Sequence, residues 1–376
     1  MNLYDIFNSI DNLNQNGYDL NINELSIRIF TSEYDDIIYL NNFLLVSDER
    51  TNNKPKYYLH MKAIDSSIKE YISNLLDNKI DEKIMNHITD FHYCHQYNAA
   101  NEQVNIYYNE KKNYFIVRRQ NSFYILYDYV CKKRSSLSLY VIRELIYREC
   151  ENSGSICLHA ASCRIENKGI ILVGAPGAGK TGLLLALVEE NNAIFISNDR
   201  ILIDHNLRLT SIPMPIRISV ESIKSSRVLH NFIMNNSKML CRKQNIQIEE
   251  IARFDSKSNK DKIELSPLEI SKCFSTNCLN TSSLDAIIIP EFNSQHGDFI
   301  EISTIDKEVA KNYLRQNCYT PQDPLWIEPW FGRKEIAKDL IFSKLDRILA
   351  AVPIYKIKFG VGVHSALKNG NIQWIK

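Results

Sequence analysis

The rhythm of apolar positions changes twice along the chain. After a short helical opening, residues 104–129 read VNIYYNEKKNYFIVRRQNSFYILYDY, three aromatic and β-branched runs separated by the polar turns NEKKN and RQNS. That alternation predicts an antiparallel meander within a β-rich first third. In residues 135–152 the spacing lengthens: Leu139, Ile142, Leu145 and Ile146 recur at three and four, with Ser135 or Ser136 as N-cap and Gly154 as stop. A helix is predicted there, bridging two domains.

From 156 the runs shorten again. ICLHAASCRI and GIILVGA read as strands joined by ENKG, followed by a helix over AGKTGLLLALVEEN and a strand AIFIS. A hairpin is predicted over 200–212, turning at Asp204-His205-Asn206, and a helix over 219–245. Segment 253–265 is polar, Lys-rich and expected to be mobile. DAIIIPEF and DFIEIST read as strands, 306–317 and about 333–350 as helices, and PIYKIKFG as a last strand.

Composition adds limits rather than a function. A chain of 376 residues sets a prior of about two domains, divided at 1–150 and 151–376. The 45 Lys and Arg against 44 Asp and Glu leave a net charge of +1, too little field to gather nucleic acid or an anionic membrane. Any recognition of phosphate must therefore be local. Nine cysteines, odd in number and without a CxxC pair, disfavour both a disulfide framework and a thiolate zinc site. His87, His92, Cys94 and His95 fit no common zinc spacing either. With no basic-then-apolar start and no run of about 18 apolar residues, a soluble cytoplasmic protein is expected.

The most specific signal is Gly174-Ala175-Pro176-Gly177-Ala178-Gly179-Lys180-Thr181. It satisfies GxxxxGK followed by Ser or Thr, between a predicted strand and a predicted helix, which is the context this phosphate loop requires. Its glycines let successive N–H groups converge on phosphate oxygens at a helix N-terminus, continued by Gly182. Lys180 neutralises β/γ charge, and Thr181 offers a hydroxyl to Mg²⁺ bound with ATP. Asp199, at the end of the next strand, is preferred as the acidic partner over Glu291, which follows an apolar strand interrupted by Pro290. Arg217 is read either as a phosphate contact or as the partner of a surface carboxylate, and Arg200 as structural. Lys262 is assigned to the γ-phosphate, while Lys257 and Lys260 belong to a solvated loop. Trp326, Trp330 and Phe331 are read as core packing.

Over residues 155–376 the chain resembles the HPr kinase/phosphorylase family and its wider group of HPr-kinase-like proteins, whose phosphate loop resembles that of phosphoenolpyruvate carboxykinase. The resemblance runs through LHAASCRIENKGIILVGAPGAGKTGLLLALVEENNAIFISNDRILID and IPMPIRI, and more weakly through DAIIIPEF and VPIYKIKFG. It implies that His159 lies beside the active centre and that an acidic pair follows the loop helix. Here that pair reads Asn198-Asp199. An amide accepts no proton, so the base role falls on Asp199, is shared with His159, or is dispensable. No EIRG-type signature follows, so kinase activity is the better inference than phosphorolysis.

The expectation is an α/β kinase domain of this type behind a β-rich N-terminal domain that recognises a substrate or partner. Its reaction would move the ATP γ-phosphoryl group to a hydroxyl, a serine of a peptide or protein, with Asp199, His159 and Lys180 as catalytic residues and Thr181 and Asp199 at Mg²⁺. Two rivals stay open: a nucleotide switch or ATPase without acceptor, and a degenerate kinase whose N-terminal sheet binds a peptide. Assembly into homo-oligomers is left open as well.

Overall fold

The computed structural model describes residues 3–13, 17–22, 25–44, 54–77, 92–99, 102–109, 113–128, 134–236, 262–320 and 336–368. The chain is mixed α/β with several sheets, and it divides into two compact units, one within 1–149 and one within 150–321 and 334–376. The division falls inside the helix Arg134–Asn152, in which Leu139, Ile142, Leu145 and Ile146 are all buried.

The first unit carries strands β1 (Gly17–Ile22), β2 (Leu25–Thr31), β3 (Tyr57–Ala63), β4 (His92–Ala99), β5 (Glu102–Asn109), β6 (Tyr114–Arg119) and β7 (Ser122–Tyr127). They form one sheet in the order β1-β2-β3-β7-β6-β5-β4, with β5, β6 and β7 the expected antiparallel meander. Ile6, Phe7 and Ile10 of the helix Leu3–Leu13 join its core with Phe115, Val117, Tyr124 and Leu126, so the meander is covered by a helix from the same unit.

In the second unit, strands β8 (Ile156–Leu158), β9 (Ala160–Ile165), β10 (Lys168–Val173), β11 (Ile194–Ser197), β12 (Ile201–Ile203), β13 (Arg208–Ser211), β14 (Ile216–Ser219), β15 (Lys262–Leu265), β16 (Thr281–Ser283), β17 (Ala286–Phe292), β18 (Ile300–Thr304) and β19 (Ile354–Phe359) form three sheets. The largest has the order β11-β9-β10-β17-β19-β18, a four-stranded one the order β16-β13-β12-β8, and β14 pairs with β15 alone. Ile170 and Leu172 enter one buried cluster with the helix Lys180–Asn191, while Ile171 and Val173 enter another with the helices Lys307–Gln316 and Lys338–Ala351. Both faces of β10 are thus covered, which is why GIILV is apolar without alternation.

Several expectations are corrected. ICLHAASCRI is not one strand: it breaks at His159, with β8 in the four-stranded sheet and β9 in the six-stranded one. The His159 N–H is taken by the Asn317 carbonyl at 2.7 Å, and Leu158 bridges Cys318, so a distant segment captures the backbone that would have continued the ladder. The helix expected from 219 is two short ones, Val220–Ser225 and Arg227–Asn235. Ser226 separates them, its extended backbone ending the first while its hydroxyl accepts the Leu229 N–H of the second. Lys262, read within a mobile segment, stands on β15 opposite Ser219. Residues 237–261, with Lys257 and Lys260, lie outside the described residues, as do His87, Trp326, Trp330 and Phe331.

Pro290 does not end its strand; β17 runs on to Phe292. The Ile287 N–H donates to Pro353 and the Asn293 N–H to Phe359, so odd positions face β19 and even ones face β10. The ladder with β10 stops at Leu172 opposite Ile288, before Pro290 is reached, so the N–H that proline lacks falls beyond the last β10 pair. No helix among the described residues is long and apolar enough to cross a membrane.

Candidate active site

The register of the six-stranded sheet decides which chain ends meet. β9 is antiparallel to β10, with Ala160 opposite Val173, and antiparallel to β11, with Ser162 opposite Ser197. The start of β9 and the ends of β10 and β11 therefore share one end of the sheet. His159, the loop beginning at Gly174, and Asn198-Asp199 follow directly from those three strand ends.

Gly177 and Gly179 have φ of 86° and 90°, the left-handed region that favours glycine. Gly179 is also packed closely: a Cβ there would come within 2.5 Å of the Phe359 ring and 2.9 Å of the Phe292 Cβ. Ala175, Pro176 and Gly177 form the exposed tip, closed by the Ala178 N–H donating to the Ala175 carbonyl at 3.1 Å. Gly174 is buried against Pro290, and Gly182 sits in the first helical turn facing Ser222.

Lys180 curls over this loop, its Nζ donating to the Gly174 carbonyl at 2.6 Å and the Ala175 carbonyl at 3.2 Å. Burial pushes its pKa down to about 8, with Asp199 opposing the shift and the Lys262 charge adding to it. Lys262 is therefore within electrostatic reach of Lys180, although it arrives on a strand. Arg217 is largely exposed on β14, and its described ion pair is with Glu264 at 3.5 Å. Glu291 pairs with Lys356.

The two residues after β11 divide their contacts. The Thr181 hydroxyl donates to the Asn198 Oδ1 at 3.1 Å, whereas the Asp199 Oδ1 lies 3.2 Å from His159 Nε2, which donates to it. The other Asp199 oxygen is paired with Arg200. Burial opposes ionisation of Asp199, but His159, Arg200 and Lys180 outweigh it and hold the carboxyl below its ordinary range. Asp199 has a φ of 81°, uncommon for any residue but glycine and least so for Asn and Asp.

Sequence reasoning missed three parts of this arrangement. Tyr319 stacks on the His159 ring at 5.3 Å between centroids, and the Arg200 guanidinium lies 5.1 Å from the same Tyr319 ring. Arg200, read as structural, is only 1% exposed and ends on the Asp199 carboxylate, which a buried cation next to an acidic residue suggests. Asn198, read only as a lost acid, is the residue that meets Thr181.

The Thr181 hydroxyl and the Asn198 Oδ1 meet beside the Asp199 carboxylate in sequence, and all three are oxygen groups of the kind that a hard cation such as Mg²⁺ takes. The cluster as a whole presents an ammonium, glycine-loop N–H groups, an ionised carboxylate and an imidazole at one sheet end. That combination can hold an anion and orient a hydroxyl beside it.

No protein-family model and no curated protein matches the sequence. Among solved structures the chain is similar to "Structure of the Hpr(Ser) kinase/phosphatase from Coxiella burnetii", at 15% identity and a TM-score of 0.25, over 58% of this chain and 99% of that one.

Proposed function

We propose that the second unit transfers the γ-phosphoryl group of ATP to a hydroxyl, with a serine of a peptide or protein as the acceptor. The observation that carries the reading is the meeting of Lys180 and Thr181 at the head of one helix with Asn198, Asp199 and His159 from the neighbouring strand ends. In this reading the N–H groups of Gly174–Gly179 and Lys180 hold the β- and γ-phosphates, and Lys262 adds charge from β15. Thr181, Asn198 and Asp199 hold Mg²⁺, which when bound neutralises charge on the phosphates.

The Asp199 carboxylate accepts the hydrogen bond of the incoming hydroxyl. As the acceptor oxygen bonds to phosphorus, the bond from phosphorus to the β-phosphate oxygen breaks, ADP leaves, and the hydroxyl proton passes to Asp199. A loose transition state asks little of that base before bond cleavage, so a carboxylate of depressed basicity suffices. His159 donates to Asp199 and Tyr319 stacks on His159, which together keep the carboxylate aimed. Arg200 fixes its second oxygen.

The direct test is incubation with γ-labelled ATP, Mg²⁺ and an array of serine peptides. Label in a seryl phosphate is the expected outcome; label in free phosphate alone would overturn the acceptor reading and favour hydrolysis.

Lys180 gives a pH signature. Bound phosphates raise the ammonium pKa above its free value of about 8, so binding takes up a proton above that pH. Calorimetry should show ATP affinity steady from pH 7 to 8 and then weakening by up to about tenfold per pH unit, the limit for one proton. Lys180→Arg should flatten the profile, because guanidinium stays charged throughout. A wild-type affinity unchanged between pH 8 and 9.5 would remove Lys180 from the phosphates.

A further inference from the structure

At the far end of the loop helix from Lys180, Glu189 and Glu190 meet His364 of the helix Val363–Lys368. The His364 Nδ1 lies 3.2 Å from Glu189 Oε2 and 3.4 Å from Glu190 Oε1, and all three donor atoms fall within 4.8 Å of one another. The side chains are mostly buried, 13%, 11% and 17% exposed for His364, Glu189 and Glu190.

At the centre of this group the buried His364 Nδ1 and Glu189 Oε2 attract each other at 3.2 Å without the alignment of a well-formed hydrogen bond, and Glu190 Oε1 is the second oxygen facing the same nitrogen. Buried polar atoms are rarely left so, and an ion between them would satisfy both. The two edges that meet at His364, 3.2 and 3.4 Å, also match: Zn–N and Zn–O bonds of about 2.0–2.1 Å give a tetrahedron with edges of about 3.3 Å. The carboxylate is held from behind, since the Ser226 hydroxyl and the Val228 N–H both donate to Glu189. Outer hydrogen bonds of this kind orient metal ligands.

We infer that Glu189, Glu190 and His364 form a binding site for one divalent transition-metal ion of the zinc class, with water completing four-coordination. One imidazole nitrogen and two carboxylates favour zinc over Mg²⁺ or Ca²⁺, which take all-oxygen shells, and the two negative charges balance the ion. The ion fastens the last described helix to the C-terminal end of the helix that begins with Lys180. Because that end is a helix length from Lys180, the site is structural and stands or falls separately from phosphoryl transfer.

The probe is Co²⁺ added to the full chain after chelator treatment. The expected result is the intense visible absorption of four-coordinate cobalt without thiolate-to-cobalt charge transfer, reversed by Zn²⁺, and a Zn²⁺-dependent rise in Tm of about 5 °C at a hundredfold excess over Kd. His364→Gln should lose both signals while ATP affinity stays within about twofold of wild type. Glu190→Gln, at the most exposed ligand, is the second variant should His364→Gln fail to fold. A cobalt spectrum like that of the free ion, a thiolate band, or full signal in a folded variant would overturn the site and leave an imidazolium bridging two carboxylates.

Discussion

Lys180→Ala is expected to lose phosphoryl transfer while keeping the fold. An ammonium about 4 Å from a phosphate charge, in a half-buried setting of effective dielectric near 20, contributes about 4 kcal/mol, and solvent screening brings this to roughly 2–4. That corresponds to a fall in kcat/KM of roughly 30- to 1,000-fold. Stability should move the other way. Burial lowers the folded pKa of Lys180 to about 8 from an ordinary 10.5, so between those values the unfolded chain binds more protons. The free protein therefore gains stability as pH rises through that window, and at neutral pH the charge opposes folding. Tm of the alanine variant should equal or exceed that of wild type. Undiminished transfer would disprove the role, and a Tm falling together with activity would mark Lys180 as structural.

Asp199→Asn should cost about 10²- to 10⁴-fold in kcat, the span for loss of a positioned proton acceptor. Asparagine tolerates the positive φ nearly as well as aspartate, so the substitution removes charge without adding backbone strain. Asp199→Ala would confound the two. Stopped-time assays of phosphopeptide formation, beside ATP binding by calorimetry, separate the effects: kcat should collapse while ATP affinity in the absence of Mg²⁺ changes by no more than about threefold. Turnover within a factor of five of wild type would assign the carboxylate to holding Arg200 rather than to chemistry.

Local signals carried well. The glycine pattern of 174–179, the apolar run of β10 and the i, i+3, i+4 spacing of Leu139–Ile146 each encode an element within a few residues. The glycine loop between β10 and the helix Lys180–Asn191 is legible for that reason, as is the place of Asp199 just after β11. What stayed hidden depends on pairing between distant segments. His159 looks like mid-strand because nothing near it announces that Asn317 will take its N–H. Tyr319 carries no motif, and its place on His159 follows from the same captured segment. Lys262 sits in a charge-rich stretch whose last four residues have the pattern of a strand only once β14 lies opposite. Pro290 misled because the rule against proline within sheets presumes a neighbour on the side its nitrogen faces. Glu189 and His364 are separated by 175 positions, as 364 less 189, and neither has metal-motif spacing.

The capture of His159 by residues 317–319 gives the histidine a remote landlord. Its backbone is tied to Asn317 and its ring to Tyr319, and both residues follow the helix Lys307–Gln316 on the opposite face of the sheet from the loop helix. A residue inserted or removed in that helix would rotate everything after it by about 100°, given 3.6 residues per turn. The imidazole would then be displaced by a change in a helix on the other face of the sheet from the glycine loop. Homologues that alter the length of this helix should be found to have altered the histidine too.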